Sequence, residues 1–179
     1  MRTRHIFATL LLWTICATAT TLEQLSVDQM IQQSTAIVRA KVTGSFAANR
    51  NGTIYTYYRL QVTENLKSTT PATTEVAVPG GVLGNAMQSV AGAPTLSVGG
   101  DYVLFLWTSR SGLTQIIGLT QGAFDVKATA GGSVALLRAP ASAQMLNASG
   151  QVVTDKAVNL DLDALRARLN ELVNLGGRR

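Results

Sequence analysis

Cysteine and histidine are nearly absent: Cys16 and His5 are the single examples of each, and both fall within the first sixteen residues. Past that point, Ser-His and Cys-His nucleophile pairs are excluded, as are zinc sites built on imidazole or thiolate. No lysine has a serine three residues before it, so the usual spacing of a Ser-Lys dyad is missing too. Charge is scarce, at 14% of residues. The acidic residues stand singly along strands and turns, with no spacing like that of a calcium loop. The one close pair, Asp161 and Asp163, sits where a helix should begin, and capping explains it better than chemistry. The expectation is therefore no enzyme, no cofactor and no metal.

Long hydrophobic runs are also lacking, except one. Ile6 to Ala17 (IFATLLLWTICA) follows Arg2 and Arg4 and precedes Ala17-Thr18-Ala19. A positive start, a short apolar stretch and small residues at the cleavage positions make a secretory signal, so residues 1–19 are expected to be removed. Cys16 follows Ile15, which is too large for a lipoprotein signal, so no lipid anchor is expected. Without Arg2 and Arg4, thirteen basic residues face ten acidic ones, a net charge of +3. That mild excess points to no nucleic-acid partner. The thiol-free remainder suits an oxidising compartment, secreted or periplasmic, with no membrane contact after signal removal. It is long enough to bury roughly 70% of its unfolded surface in one core.

What is plentiful is valine, threonine and glycine, the composition of a β protein. Ser26-Val-Asp-Gln29 has the form of a capping box, which predicts a short helix reaching about Gln33, with Leu22, Leu25, Met30 and Ile31 on one face. Alternation predicts a strand over Ala36–Phe46, with Ala36, Val38, Ala40 and Val42 facing inward and Ile37, Arg39 and Lys41 opposite. After an Asn51-Gly52 turn, Thr53–Leu66 reads as a second strand, with Ile54, Tyr58, Leu60 and Val62 inward and Tyr55, Tyr57, Arg59 and Gln61 outward. Thr74–Val78 is a third strand, stopped by Pro79. A long glycine-rich connection, Gly80–Gly100, leads to the apolar strand Asp101–Thr108, which pairs with Leu113–Leu119. Hairpins around Gly131-Gly132 and Ser149-Gly150 follow. Last comes a helix over Leu160–Asn174 with Leu162, Leu165, Leu169, Leu172 and Val173 on one stripe, expected to dock on the barrel.

Three segments carry a family resemblance: MIQQSTAIVRAKV (30–42), YYRLQVTENLK (57–67) and GGDYVLF (99–105). In this order they resemble the netrin-like module, the OB-type barrel of the tissue inhibitors of metalloproteinases, over roughly residues 22–128. The wording "PGG…GAP…G-x-x-Y-V-L-F-L" also resembles a group of secreted bacterial proteins, from which no activity carries over. The resemblance implies a mainly β fold with a five-stranded OB/NTR-like barrel, expected over residues 20–140; the extra C-terminal hairpins and packed amphipathic helix of 141–179 lie beyond its reach and are read from the residues, so that helices flank the barrel at both ends. The animal inhibitors chelate zinc through an N-terminal cysteine. This chain has none there, so only the scaffold transfers.

Two candidate contact regions follow. Arg39, Lys41, Tyr55, Tyr57 and Arg59 fall on the non-core face of the first hairpin by period-two counting, where rings supply flat apolar area and guanidinium groups bidentate donors. Gly80, Gly81 and Gly84 open a loop whose amides are able to cradle an anion, although the lysine and helix of a phosphate loop are missing. The expected function is a secreted, non-enzymatic module that binds an exported protein or a glycan. The alternative is a secreted protease inhibitor that uses the barrel rim and the 80–100 loop.

Overall fold

The computed structural model describes residues 21–176, so the expected signal at 1–19 lies outside the described residues. In chain order the elements are β1 (Thr21–Glu23), α1 (Val27–Gln33), β2 (Ala36–Arg50), β3 (Thr53–Lys67), β4 (Thr73–Pro79), β5 (Gly81–Leu83) and β6 (Ala86–Gln88). Then follow β7 (Asp101–Thr108), β8 (Thr114–Ile116), a 3₁₀ turn (Leu119–Gly122), β9 (Ala123–Ala128), β10 (Val134–Arg138), β11 (Gln144–Leu146), β12 (Val152–Val153), β13 (Val158–Asp161) and α2 (Leu162–Gly176).

The fold is mainly β, and its main sheet curls into a half barrel in the order β13-β10-β9-β7-β2-β3-β4, with β8 beside β7. The hairpins expected after the barrel do not stand apart from it. β9, β10 and β13 extend the same sheet, while β11 pairs with β1 in parallel and with β12. Residues 80–100 are likewise not a plain connection, because β5 and β6 form a small antiparallel ribbon there. Of the strand expected at 113–119 only β8 pairs; the chain then turns through Gly118 in a left-handed conformation.

β7 explains the shape of the core. Its run DYVLFLWT is apolar without alternation because it is buried on both faces, as a central strand must be. Leu104 and Leu106 point inward to Val38, Val42, Leu60 and Val76. Val103 and Phe105 point outward into a second cluster with Ile31, Ile37, Phe124, Leu136 and Leu165, so both helices cover the outer side of the sheet at this end. Fully burying one such side chain stabilises the fold by about 1.5–3 kcal/mol.

The capping box of α1 is formed: the Gln29 amide donates to Ser26 Oγ at 3.2 Å, and the Ser26 amide donates to Gln29 Oε1 at 2.8 Å. At its other end Lys67 Nζ donates to the carbonyls of Ile31 and Ser34, both at 2.6 Å. Desolvation holds this ammonium below its ordinary pKa. On α2, Leu162, Leu165 and Leu169 are buried. The side chain of Val173, the last residue of the expected stripe, lies outside the described residues. The helix starts two residues later than expected, because Leu160 and Asp161 close β13. Asp161 caps it, accepting from the amides of Asp163 and Ala164 at 2.8 and 3.1 Å. Arg166 clamps α2 to β3 through Glu64 at 2.9 and 2.8 Å, and Arg168 clamps it to Asp28 of α1.

Candidate functional site

The β2–β3 hairpin turns at Asn51-Gly52, where both residues take positive φ, 53° and 82°. Its register is not uniform. Val42 faces Leu60, yet Gly44 faces Arg59, so Thr43 is an extra residue and the pair carries a bulge. The Thr43 hydroxyl donates to the Arg59 carbonyl at 3.2 Å. Beyond the bulge the alternation of β2 is shifted by one, and Phe46 comes to stand opposite Tyr57 on the outer face.

The result is a ladder of four side chains across the strands. The rings of Phe46 and Tyr57 stack with centroids 5.2 Å apart and 11° between planes; Tyr55 follows at 6.2 Å and 53°. The Arg59 guanidinium lies over the Phe46 ring, 5.1 Å from its centroid, and donates to Glu75 Oε1 at 3.2 Å. A stacked pair contributes about 0.5–1.5 kcal/mol beyond burial, and an exposed cation–π contact about 0.5–1 kcal/mol. Phe46 remains 39% exposed.

The five hairpin residues therefore share one face without forming one patch. Arg39 is separated from Phe46 by seven positions of β2, a path of about 23 Å along the strand. Its guanidinium donates to both Asp101 oxygens at 3.2 Å through Nε, and to one at 2.6 Å through Nη2. That hydrogen bonding raises its already high pKa. Arg39 also pairs in register with Glu64, which Arg166 of α2 holds, so this end of the hairpin is structural. Lys41 is exposed beside Asp101 and Gln61 in register, away from the rings.

The loop glycines are packing positions. Gly80 donates its amide to the Ile54 carbonyl at 2.8 Å and accepts from the Thr56 hydroxyl, so its amide is committed to the sheet. Gly81 has φ 138° and lies so close to Thr56 that a Cβ would stand 2.5 Å from its Oγ1. Gly84 turns the β5–β6 ribbon at φ 59°. The ribbon exposes Val82, Leu83 and Met87, the last at 78%.

Sequence reasoning missed Phe46, Glu75 and an apolar groove of about 640 Å³ between Trp107, Leu22, Leu25, Ile117 and Leu119. Trp107, near the end of β7 on the outer face, is 44% exposed. Among the described residues there is no cluster of three or more potential metal ligands, and no helix is long and apolar enough to cross a membrane. No protein-family model, curated protein or solved structure matches this chain.

Proposed function

We propose that this protein is an exported, non-enzymatic binding module that docks another exported protein through the outer face of the β2–β3 hairpin. The observation that carries the reading is the Arg59–Phe46–Tyr57–Tyr55 ladder. A patch of rings and a guanidinium on a long hairpin has the composition of an interface hot spot. The ladder also favours a protein over a glycan. Sugars stack on free ring faces, whereas here the Phe46 ring is already engaged by both Tyr57 and Arg59. The scaffold is read as an OB-like barrel of β2, β3, β4, β7 and β8. Two features support that reading: β4 approaches β8, and Arg50 at the hairpin tip donates to the Ser111 carbonyl at 3.2 Å.

The test is capture from the host's own medium or periplasm with immobilised mature protein. The double substitution Tyr57→Ala/Arg59→Ala should lower partner affinity at least tenfold, about 1.4 kcal/mol, while Lys41→Ala leaves it unchanged. Equal capture by all three proteins would refute the hairpin reading; capture of glycan alone would refute the protein partner.

The β5–β6 ribbon favours the second reading, a protease inhibitor, since its tip offers Val82, Leu83 and Met87 to an enzyme cleft. Titrating secreted metalloproteases and serine proteases decides it, and no inhibition at micromolar concentration removes it.

A further inference from the structure

On the inner side of the same hairpin, opposite the ladder, lies a pocket of about 280 Å³ closed by the 80–100 segment. No charged residue lines it. Its polar groups are Thr56, Tyr58, Gln88, Ser89 and Thr95. Two of them are half committed. The Thr56 hydroxyl donates to the Gly80 carbonyl at 2.8 Å and keeps its lone pairs, while Gln88 Oε1 accepts from the Ile54 amide at 2.8 Å and leaves its NH₂ group with both donors. Tyr58 is different. It is 6% exposed, and its hydroxyl has no hydrogen-bond partner among the described residues, yet that oxygen is not sealed away from the pocket. A tyrosine hydroxyl with solvent access and no protein partner is hydrated, so a ligand entering here has to replace that hydrogen bond.

We propose that this pocket binds a single neutral sugar ring. The chemistry excludes the other classes. A charged ligand would bury its charge with no counter-charge on the wall. A wholly apolar one would strand the Tyr58 hydroxyl and the Gln88 donors. Hydroxyls, which both donate and accept, match the four hydroxyl residues and the amide. Pro79, Pro94, Val78 and Val90 give the C–H faces of a ring an apolar surface. The volume falls just below the about 300 Å³ at which sites for drug-sized ligands begin, which limits the occupant to one small ring. The site uses none of the ladder residues and does not rest on the docking reading.

The test is a titration of the whole protein with glucose, galactose and N-acetylglucosamine, followed by amide chemical shifts. Glucuronate and glucosamine are the charged controls. At least one neutral sugar should shift amides of residues 88–95 and saturate, with its charged counterpart at least tenfold weaker. Tyr58→Phe should weaken that sugar at least tenfold, and Tyr57→Ala should leave it unchanged. Should Tyr58→Phe not fold, Ser89→Phe at the exposed rim blocks the mouth instead. An oligosaccharide ending in the same sugar separates the sources: equal or tighter binding means a glycan terminus, and loss of binding means a free sugar. No saturable shift with any neutral sugar at about 50 mM, well above a millimolar Kd, would show that the pocket holds water alone. Undiminished binding by both variants overturns the proposal as well.

Discussion

Asp155→Asn should unfold more of this protein than its small change in shape suggests. Arg138, the last residue of β10, donates to the Asp155 carboxylate at 2.5 and 3.0 Å, and the Ala141 amide donates to it at 2.6 Å. Arg138 also donates to the Lys156 carbonyl at 3.2 Å. One ion pair thus fastens both ends of the 139–157 excursion, which carries β11 and β12, to the main sheet. The two side chains are only 7% and 4% exposed. Burial alone pushes the Asp155 carboxyl up, but hydrogen bonds from Arg138 and Ala141, with the Arg138 charge, outweigh it and hold the pKa below the ordinary value. Asparagine keeps the volume and leaves the guanidinium buried without a counter-charge, its Nε already without an acceptor. Breaking one side of a buried pair costs about 3–5 kcal/mol. At about 2–4 °C per kcal/mol for a domain of this size, Tm falls by roughly 6–20 °C. The check is urea and thermal unfolding followed by circular dichroism. Arg138→Met/Asp155→Leu, apolar on both sides, should recover most of the loss. The pH dependence has a definite sign. A carboxyl depressed in the folded state contributes its full stability above the unfolded pKa of about 3.9 and loses it as pH falls through the folded value. The wild type should therefore lose stability below about pH 4 by a component that Asp155→Asn lacks. A single variant within about 1 kcal/mol of wild type, or a double variant no better than the single, would refute the argument.

Two further substitutions test the packing. Gly81→Ala should cost about 1–3 kcal/mol, since its φ of 138° and the Thr56 hydroxyl 2.5 Å from the new Cβ leave no unstrained solution. Gly44→Ala, with open space at its Cβ and no positive φ, should be near neutral in the same urea titration. Leu165→Ala, at a position 3% exposed under α2, should cost about 2–5 kcal/mol by equilibrium unfolding and loosen the outer cluster.

The elements legible in the sequence are those specified by neighbouring residues. Ser26 and Gln29 announce α1, Asn51-Gly52 announces the hairpin turn, and Asp101–Thr108 is bounded by its own apolar run. What was not legible depends on distant partners. β5 and β6 have three residues each and no periodicity of their own; they form where the Gly80 amide meets Ile54 and Gln88 meets the Ile54 amide. Leu160 and Asp161 look like a helix start, and they are claimed by a strand because β10 offers them a ladder: Leu136 pairs with Leu160 and Ala135 with Asp161.

The candidate site shows the same limit more sharply. Period-two counting gave Arg39, Tyr55, Tyr57 and Arg59 their correct face, but a face is not an environment. Near Arg39 that face is roofed by α2, whose Arg166 reaches Glu64, and near Phe46 it is open. Counting also carried β2 straight through Thr43, and one extra residue there inverts every side chain beyond it. With Thr43 paired in regular alternation Phe46 would point into the barrel beside Tyr58, and Arg59 and Tyr57 would both lose their contact with its ring. The bulge thus separates two kinds of aromatic on one hairpin: Phe46, Tyr55 and Tyr57 form an outer rib, and Tyr58 lies inside beneath the 80–100 segment. The two faces are separable by mutation. Phe46→Ala should take the outer ladder apart, whereas Tyr58→Phe alters the inner pocket by one oxygen and leaves the outer face as it is.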